Sequence, residues 1–287
     1  MHPGRTFEST ARKAFSMFVL EHFLYSSLVD GDYLDTERFM TPEASEAREA
    51  RELANMEELL AKLESHMAEL MEKAGDTSVN RARRSVYEDC LATAVQPSGL
   101  YTMTVPTGGG KTLSSMAFGL RHAVEQGMER VIVAIPYTSI VEQTAATLKA
   151  IFGAENVLEH HSNYDFRDLD DEEKARQRLA IQNWDAPIVV TTNVQLFESL
   201  FANKTSRCRK LHNIAGSVIV LDEAQMLPTK QLLPCVRALA ELVKRYGCTV
   251  VLCTATQPSL GELFDRFDCP VHEIAPDPQA LYERLRR

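Results

Sequence analysis

Nothing in this 287-residue chain approaches the ~18 consecutive apolar residues that a bilayer-spanning helix needs, so no membrane segment is expected. The opening MHPGRTFESTARK has neither the apolar centre nor the small-residue cleavage site of a secretory leader, which makes the cytoplasm the expected compartment. Six cysteines (Cys90, Cys208, Cys235, Cys248, Cys253 and Cys269) include no C-x-x-C pair. A zinc ribbon and a disulfide framework are therefore not indicated, and buried thiols in reducing surroundings are the expectation. Internal repeats and low-complexity tracts are also absent. The net charge of −9 argues against coating nucleic acid through the whole surface, while leaving room for a local basic groove. What remains is an ordinary globular composition, 45% hydrophobic and 25% charged. The length suits one large domain or two small ones, at ~100–200 residues each.

The first 39 residues read as helix, with Phe15, Phe18, Val19, Phe23 and Leu24 at spacings of three and four. A glutamate-rich stretch from Thr41 to Gly75 follows, where Leu53, Met56, Leu60, Leu63, Met67 and Leu70 mark one long amphipathic helix after the start signal TPEAS. It is too short for an independent coiled coil and is expected to dock. Beyond Asn80 the texture changes. Short apolar runs (TMTV, VIVAIP, PIVVTT, SVIVLD, TVVLCT) alternate with helical stretches, the pattern of a parallel sheet covered by helices on both faces. The runs are continuously apolar, as central strands buried on both sides require.

The first of these runs leads into VPTGGGKT (residues 105–112), which hands over to the helix-like LSSMAFGLRHAVEQ. A glycine-rich turn between strand and helix aims several backbone N–H groups at one point, where the helix dipole also favours negative charge. Gly108, Gly109 and Gly110 let the backbone approach a phosphate, Lys111 reaches the β and γ phosphates, and the Thr112 hydroxyl ligates Mg²⁺, with Thr107 opening the turn. The strict P-loop pattern asks for glycine where Val105 stands, so the match covers only its second half.

Roughly a hundred residues downstream, SVIVLDEAQMLP places Asp222 and Glu223 at the carboxyl end of a buried strand, where open α/β sheets put their ligands. ATP arrives with Mg²⁺, which needs a second anionic contact, Asp222; hydrolysis needs a base for the attacking water, Glu223. Gln225 completes this acidic turn. A third strand end carries Thr254 and Thr256, hydroxyls able to relay nucleotide state to a bound polymer, though both residue types are also ordinary cap residues.

TGGGKT, DEAQ and TAT, in this order and spacing, resemble motifs I, II and III of superfamily 2 helicases, whose motors pair two RecA-like domains. IPYTSIVEQ, EHHSN, NWDAPIVVTTNVQLFESLF, CRKLHNIAGSVIVLDEAQMLP and CTATQP further resemble the CRISPR-associated helicase-nucleases of type I interference, over nearly all of residues 81–287. The resemblance implies an α/β P-loop NTPase fold: a RecA-like domain at 81–287, with a parallel sheet flanked by helices. An all-α segment precedes it, divided into the closing remnant of an HD-type nuclease domain (1–39) and an amphipathic helical linker (40–80).

It further implies ATP and Mg²⁺ as cofactors and single-stranded DNA as a partner. The strand is gripped through its backbone by Pro136, Thr138, Ser139, Thr191, Thr192 and Asn193, which are groups suited to phosphate oxygens. A CRISPR surveillance complex of the Cascade type and a second RecA-like domain, outside this sequence, are the other partners implied. SSLVDGDYLDTE looks like the closing helix of the nuclease, in which Asp30 or Asp32 would bind metal. His2 and His22 are the only histidines up to that point and form no HD pair, so nuclease activity is not expected. With no finger arginine in view, hydrolysis by this chain alone is expected to be slow, since such a residue contributes ~10³–10⁵ in rate. The basic run Lys204, Arg207, Arg209 and Lys210 reads equally as a flank of the DNA path or as a solvated loop. His160 and His161 have too few companions for a ligand set. Two other readings stay open: a non-catalytic ATP-binding module that docks on a partner through the helix of residues 41–75, and the motor of a different superfamily 2 translocase.

Overall fold

The structure, a computed structural model, describes residues 3–162, 171–202, 204–255 and 260–285. One seven-stranded sheet organises them. Its strands are β1 (Leu100–Thr104), β2 (Arg130–Ile135), β3 (Val157–His160), β4 (Ile188–Thr192), β5 (Ser217–Leu221), β6 (Thr249–Thr254) and β7 (Val271–Glu273). They lie in the order β3-β4-β2-β5-β6-β1-β7, and every neighbouring pair is parallel.

Ahead of the sheet come α1 (Pro3–Met40), α2 (Pro42–Glu49), α3 (Met56–Lys73) and α4 (Ser78–Thr93). Between the strands run α5 (Lys111–Gln126), α6 (Thr138–Phe152), α7 (Asp171–Asn183), α8 (Asn193–Leu200), α9 (Thr205–Cys208) and α10 (Leu232–Arg245). The short α11 (Gly261–Asp265) and α12 (Pro278–Leu285) flank β7.

Side chains alternate across a strand, so each central strand feeds two cores. From β5, Val218 and Val220 enter a cluster with Leu59 and Leu63 of α3, Val86 of α4, Phe118 of α5 and Leu148 of α6. Ile219 and Leu221 enter the opposite cluster with Phe23 of α1, Trp184, Leu196 of α8 and Leu239 of α10. Both faces are thus covered by helices, as the unbroken apolar runs demand. The edge strands β3 and β7 are additions to the five strands read from the sequence.

The single helix expected from TPEAS onward is two. Residues 51–55 leave the helical path, and α3 starts afresh at Asn55, whose side chain accepts from the Glu58 N–H at 2.9 Å while the Glu58 carboxylate accepts from the Asn55 N–H at 3.0 Å. This reciprocal pair satisfies two helix-end donors at once. The break is also held from outside: Arg51 donates to the Asp185 carbonyl at 2.8 Å and pairs with its carboxylate, and Arg48 bridges Glu37 and the Leu179 carbonyl. Leu59, Leu60 and Leu63 of α3 are buried in the core shared with α5. The apolar face on which a partner-docking role for this helix depended is therefore occupied within the chain.

All six cysteines are buried and unbridged, consistent with thiols that serve as packing. No helix among the described residues is long and apolar enough to cross a membrane.

Candidate functional site

Because β6 separates β1 from β5, the loops leaving β1 and β5 stand two strand spacings apart, about 10 Å, at the same carboxyl edge of the sheet. A lysine on one loop can therefore reach carboxylates on the other. The β1 loop begins at Val105, whose N–H donates to the Thr254 carbonyl of β6 at 3.1 Å, and it turns through Gly109 N–H to Pro106 carbonyl at 3.0 Å.

Its glycines are needed for different reasons. Gly108 and Gly110 have φ of 85° and 83°, the left-handed region that L side chains avoid. Gly109 is needed for space, since a Cβ there would lie 2.5 Å from Val105 Cγ1 and 3.0 Å from the Pro106 carbonyl oxygen. Val105, fully buried, fills the place a P-loop usually leaves to its first glycine, and Gly109 accommodates it. Gly110 then serves as N-cap of α5, with Lys111 and Thr112 in its first turn.

Lys111 Nζ lies 2.5 Å from Glu223 Oε1 and 3.2 Å from Asp222 Oδ1. Burial opposes the charge on Lys111, but the hydrogen bond to Glu223 and the two carboxylates outweigh it and raise its pKa. For Glu223, burial pushes the pKa up, and hydrogen bonds from Lys111 and Gln225 more than reverse this, so the group is held ionised below its ordinary value. Gln225 Nε2 donates to Glu223 Oε2 at 2.5 Å. Glu223 itself sits at φ 49°, an uncommon conformation for a residue with a side chain. The Asp222 carboxylate accepts its N–H at 3.0 Å and so helps to hold it there.

Beside Lys111 and Glu223 lies a cavity of ≈ 360 Å³ lined by these two and by Arg83, Thr107, Gly108, Gly110, Thr112 and Leu113, within the ~300–1,000 Å³ typical of small-molecule sites. The donor set suits a triphosphate with magnesium: backbone amides and an ammonium for the phosphates, a hydroxyl (Thr112) and a carboxylate (Asp222) for a hard cation. Arg83 had no signal in the sequence. It is one of three arginines in NRARRS, and only the docking of α4 on α5 turns this one, with Nε 2.8 Å from the Gly108 carbonyl, toward the loop.

The other candidate residues divide. Pro136, Thr138 and Ser139 leave the carboxyl end of β2 half-buried or exposed, beside an exposed Tyr137. Thr191, Thr192 and Asn193 end the neighbouring β4 but are all buried. The Thr191 hydroxyl donates to the His160 carbonyl at 2.7 Å, Thr192 caps α8 by accepting the Gln195 N–H, and among the described residues the Asn193 amide has no partner for either atom. Thr254 ends β6, fully buried; Thr256 lies outside the described residues.

Asp30 is buried, yet its carboxylate faces Arg209 Nε at 2.7 Å and Asn183 Nδ2 at 3.1 Å, while Asp32 is exposed. Among the described residues no group of three His, Cys, Asp or Glu side chains is placed to hold a metal. Arg209 and Lys210 depart from both readings of the basic run. Both are buried, at 4% and 5% exposure, and Arg209 pairs with Asp30 and stacks over the Tyr33 ring at 4.6 Å. Burial, together with Arg209 and Arg207, pushes the Lys210 ammonium down to about 8. His160 is equally structural: it accepts the Trp184 indole N–H at 2.9 Å, and burial, with Lys210 nearby, pushes it down to about 3.

Comparison with known proteins adds three findings. The DEAD/DEAH box helicase family matches residues 81–263. The CRISPR-associated nuclease/helicase Cas3 of Haloferax volcanii is 31% identical over 255 residues, covering 76% of this chain and 27% of that protein. Two crystal structures of T. fusca Cas3 superpose on the fold: the ADP form with TM-score 0.54 at 18% identity over 72% of this chain, and the AMPPNP form with TM-score 0.53 at 20% identity over 73%. The chain spans about a quarter of the length of these relatives, 27% and 23%.

Proposed function

The chain belongs to the DEAD/DEAH box helicases, with a Cas3-like superfamily 2 motor domain, and on that premise we propose that it is the ATP-binding half of a single-stranded DNA translocase acting in CRISPR type I defence. The observation that carries the reading is the Lys111–Asp222–Glu223 triad, with an ammonium 2.5 Å and 3.2 Å from two carboxylates at the mouth of a glycine loop. A purely structural ion pair would have no need of three glycines, two of them at positive φ, beside it.

In this reading Lys111 leaves the carboxylates for the β and γ phosphates of ATP, and the amides of residues 108–112 receive the remaining phosphate oxygens. Thr112 and Asp222 would hold Mg²⁺, which supplies charge neutralisation between the phosphates. Glu223 then loses Lys111, the larger of the two partners that keep its pKa low, while burial, which raises it, persists. Its proton affinity rises as it meets the attacking water, which is the change a general base requires. Gln225 keeps the carboxylate aligned from its other oxygen, and Thr107 flanks the cradle.

Pro136, Thr138 and Ser139 offer a hydroxyl-bearing edge to a DNA backbone, with Thr191, Thr192 and Asn193 beside them and Thr254 and Thr256 linking nucleotide and strand. A second RecA-like domain would close on this face and supply the finger arginine, so turnover by the chain alone is slow. α1 leaves Leu24, Leu28 and Phe39 at 63%, 72% and 84% exposure, apolar surface that the rest of an HD-type domain, and through it a Cascade-type complex, would cover. The test is ATPase activity with and without single-stranded DNA for the chain mixed with a separately produced second RecA-like domain. DNA-stimulated turnover lost in Glu223→Gln supports the assignment, and stimulated turnover that survives the substitution removes Glu223 as the base.

A further inference from the structure

We infer that α12 is a strut between the two loops of the site: Leu285 bears on the glycine loop and Tyr282 holds the turn that leaves β6, so a nucleotide seated in the first loop positions the second. The inference rests on the reading that a nucleoside triphosphate occupies the glycine loop. It adds two positioning residues, neither of which lines the cavity.

The two loops are joined at their bases. Val105 opens the glycine loop and donates its N–H to the carbonyl of Thr254, the last residue of β6, at 3.1 Å. Beyond that point the two segments part, and α12 joins them again. The Tyr282 hydroxyl donates to the Ala255 carbonyl at 2.6 Å, and Leu285 Cδ1 lies 3.1 Å from the position a Cβ on Gly109 would take. Tyr282 and Leu285 are three residues apart and therefore share one face of the helix. A closed circuit thus runs from Val105 through Thr254, Ala255, Tyr282 and Leu285 back to Gly109. A shift of the glycine loop reaches Ala255 through both arms of it.

A strut has to be seated. Glu273 of β7 ties the segment to β1, its carboxylate accepting from the Thr102 and Thr104 hydroxyls at 2.9 and 2.8 Å and from the Thr104 N–H at 3.0 Å. Ile274, Ala275 and Leu281 are buried in the core shared with α3, α4 and α5, and Leu285 packs against it. Tyr282, at 44% exposure, could give its hydroxyl to water; it is turned instead onto a main-chain carbonyl just past the end of β6. Coupling between sites is carried by chains of packed side chains and hydrogen bonds, and a core-seated helix with one contact on each loop supplies such a chain.

The experiment is amide hydrogen exchange with and without magnesium AMPPNP, read at the peptides carrying residues 105–112 and Ala255, for the parent, Tyr282→Phe and Leu285→Ala. AMPPNP affinity is measured alongside by calorimetry. In the parent the nucleotide is expected to slow exchange at both peptides. Tyr282→Phe removes one hydroxyl from a part-exposed ring, so the glycine loop should keep its slowing and the affinity should stay within about twofold. The slowing at Ala255 should fall by about two- to tenfold, the range one hydrogen bond covers. Leu285→Ala should cut the same slowing from the other end. A turn merely stabilised by Tyr282 would exchange faster by one factor with and without nucleotide, leaving the ligand-induced ratio unchanged. That result in either variant, or no slowing at Ala255 in a parent that binds AMPPNP, would overturn the strut. Failure of the underlying reading looks different, because the parent would then show neither AMPPNP binding nor slowing at residues 105–112.

Discussion

Substituting Gly109 by alanine tests whether the glycine loop closes over Val105 as described. The new Cβ would meet Val105 Cγ1 at 2.5 Å, the Pro106 carbonyl oxygen at 3.0 Å and Leu285 Cδ1 at 3.1 Å. Val105 is fully buried and cannot swing away, so part of the loop must shift. Overpacking of this kind costs about 1–3 kcal/mol. For a chain of this size that corresponds to about 2–4 °C in melting temperature per kcal/mol, hence a fall of several degrees in differential scanning fluorimetry. Removing the nearest clash should return part of it. Val105→Ala alone loses buried methyl groups and destabilises, but Val105→Ala/Gly109→Ala should be less destabilised than the sum of the single variants. Coupling beyond about 0.5 kcal/mol is the expected result. Strict additivity would refute the claim that valine at 105 and glycine at 109 exchange volume. By contrast, Gly108→Ala has nothing within 4 Å of its Cβ and should cost only the backbone term of a φ of 85°, about 1–2 kcal/mol, with no coupling to position 105.

Further outcomes follow from the ion pairs and caps. Glu223 is held below 4.5, so its contribution exists above that pH and is lost as pH falls through the lowered value; Lys111 is raised above 10.5, so its contribution exists below 10.5 and is lost above the raised value. Thermal melts of the parent and Lys111→Ala should therefore differ at pH 7, with a gap that begins to narrow below about pH 4.5 and closes as pH falls through the lowered value; a gap that stays constant into acid would contradict the pairing. Breaking the buried Asp30–Arg209 pair by Asp30→Ala or Arg209→Ala should cost about 3–5 kcal/mol in urea unfolding, and Asp30→Ala/Arg209→Met should cost less than either; a double variant at the sum of the singles would show no pairing. Asn55→Ala should cost about 0.5–2 kcal/mol in the same assay through the lost cap of α3, and a neutral result would mean that α3 does not begin there.

Five of the seven strands were legible because a central parallel strand is buried on both faces and reads as unbroken β-branched sequence, as in SVIVL. The two missed strands lie at the sheet edges. VLEH and VHE carry charged or ionisable residues that a half-covered edge tolerates, and neither exceeds four residues. The helix break at residues 51–55 is hidden because the apolar spacing continues through it; only Asn55 with Glu58 three residues on marks a new start, and periodicity alone outweighs that pair. At the site, the loop and the acidic turn declare themselves through local spacing. Arg83, Arg209 and Lys210 do not, because their surroundings are assembled from helices distant in sequence: α4 against the loop for the first, α1 against residues 208–212 for the others. A basic run then looks solvated although half of it is buried, Arg209 against Asp30 and Lys210 near His160.

If Lys111 and Asp222 receive the phosphates and the magnesium of one nucleotide, the equilibrium affinity for MgATP of the parent, Lys111→Ala and Asp222→Asn shows it most directly. Saturable binding by the parent is expected, with a loss of about tenfold or more in Lys111→Ala as a charge-assisted contact disappears, and a loss in Asp222→Asn that vanishes when magnesium is chelated. Binding that is unchanged in both variants, or a parent that takes up no MgATP, would contradict it.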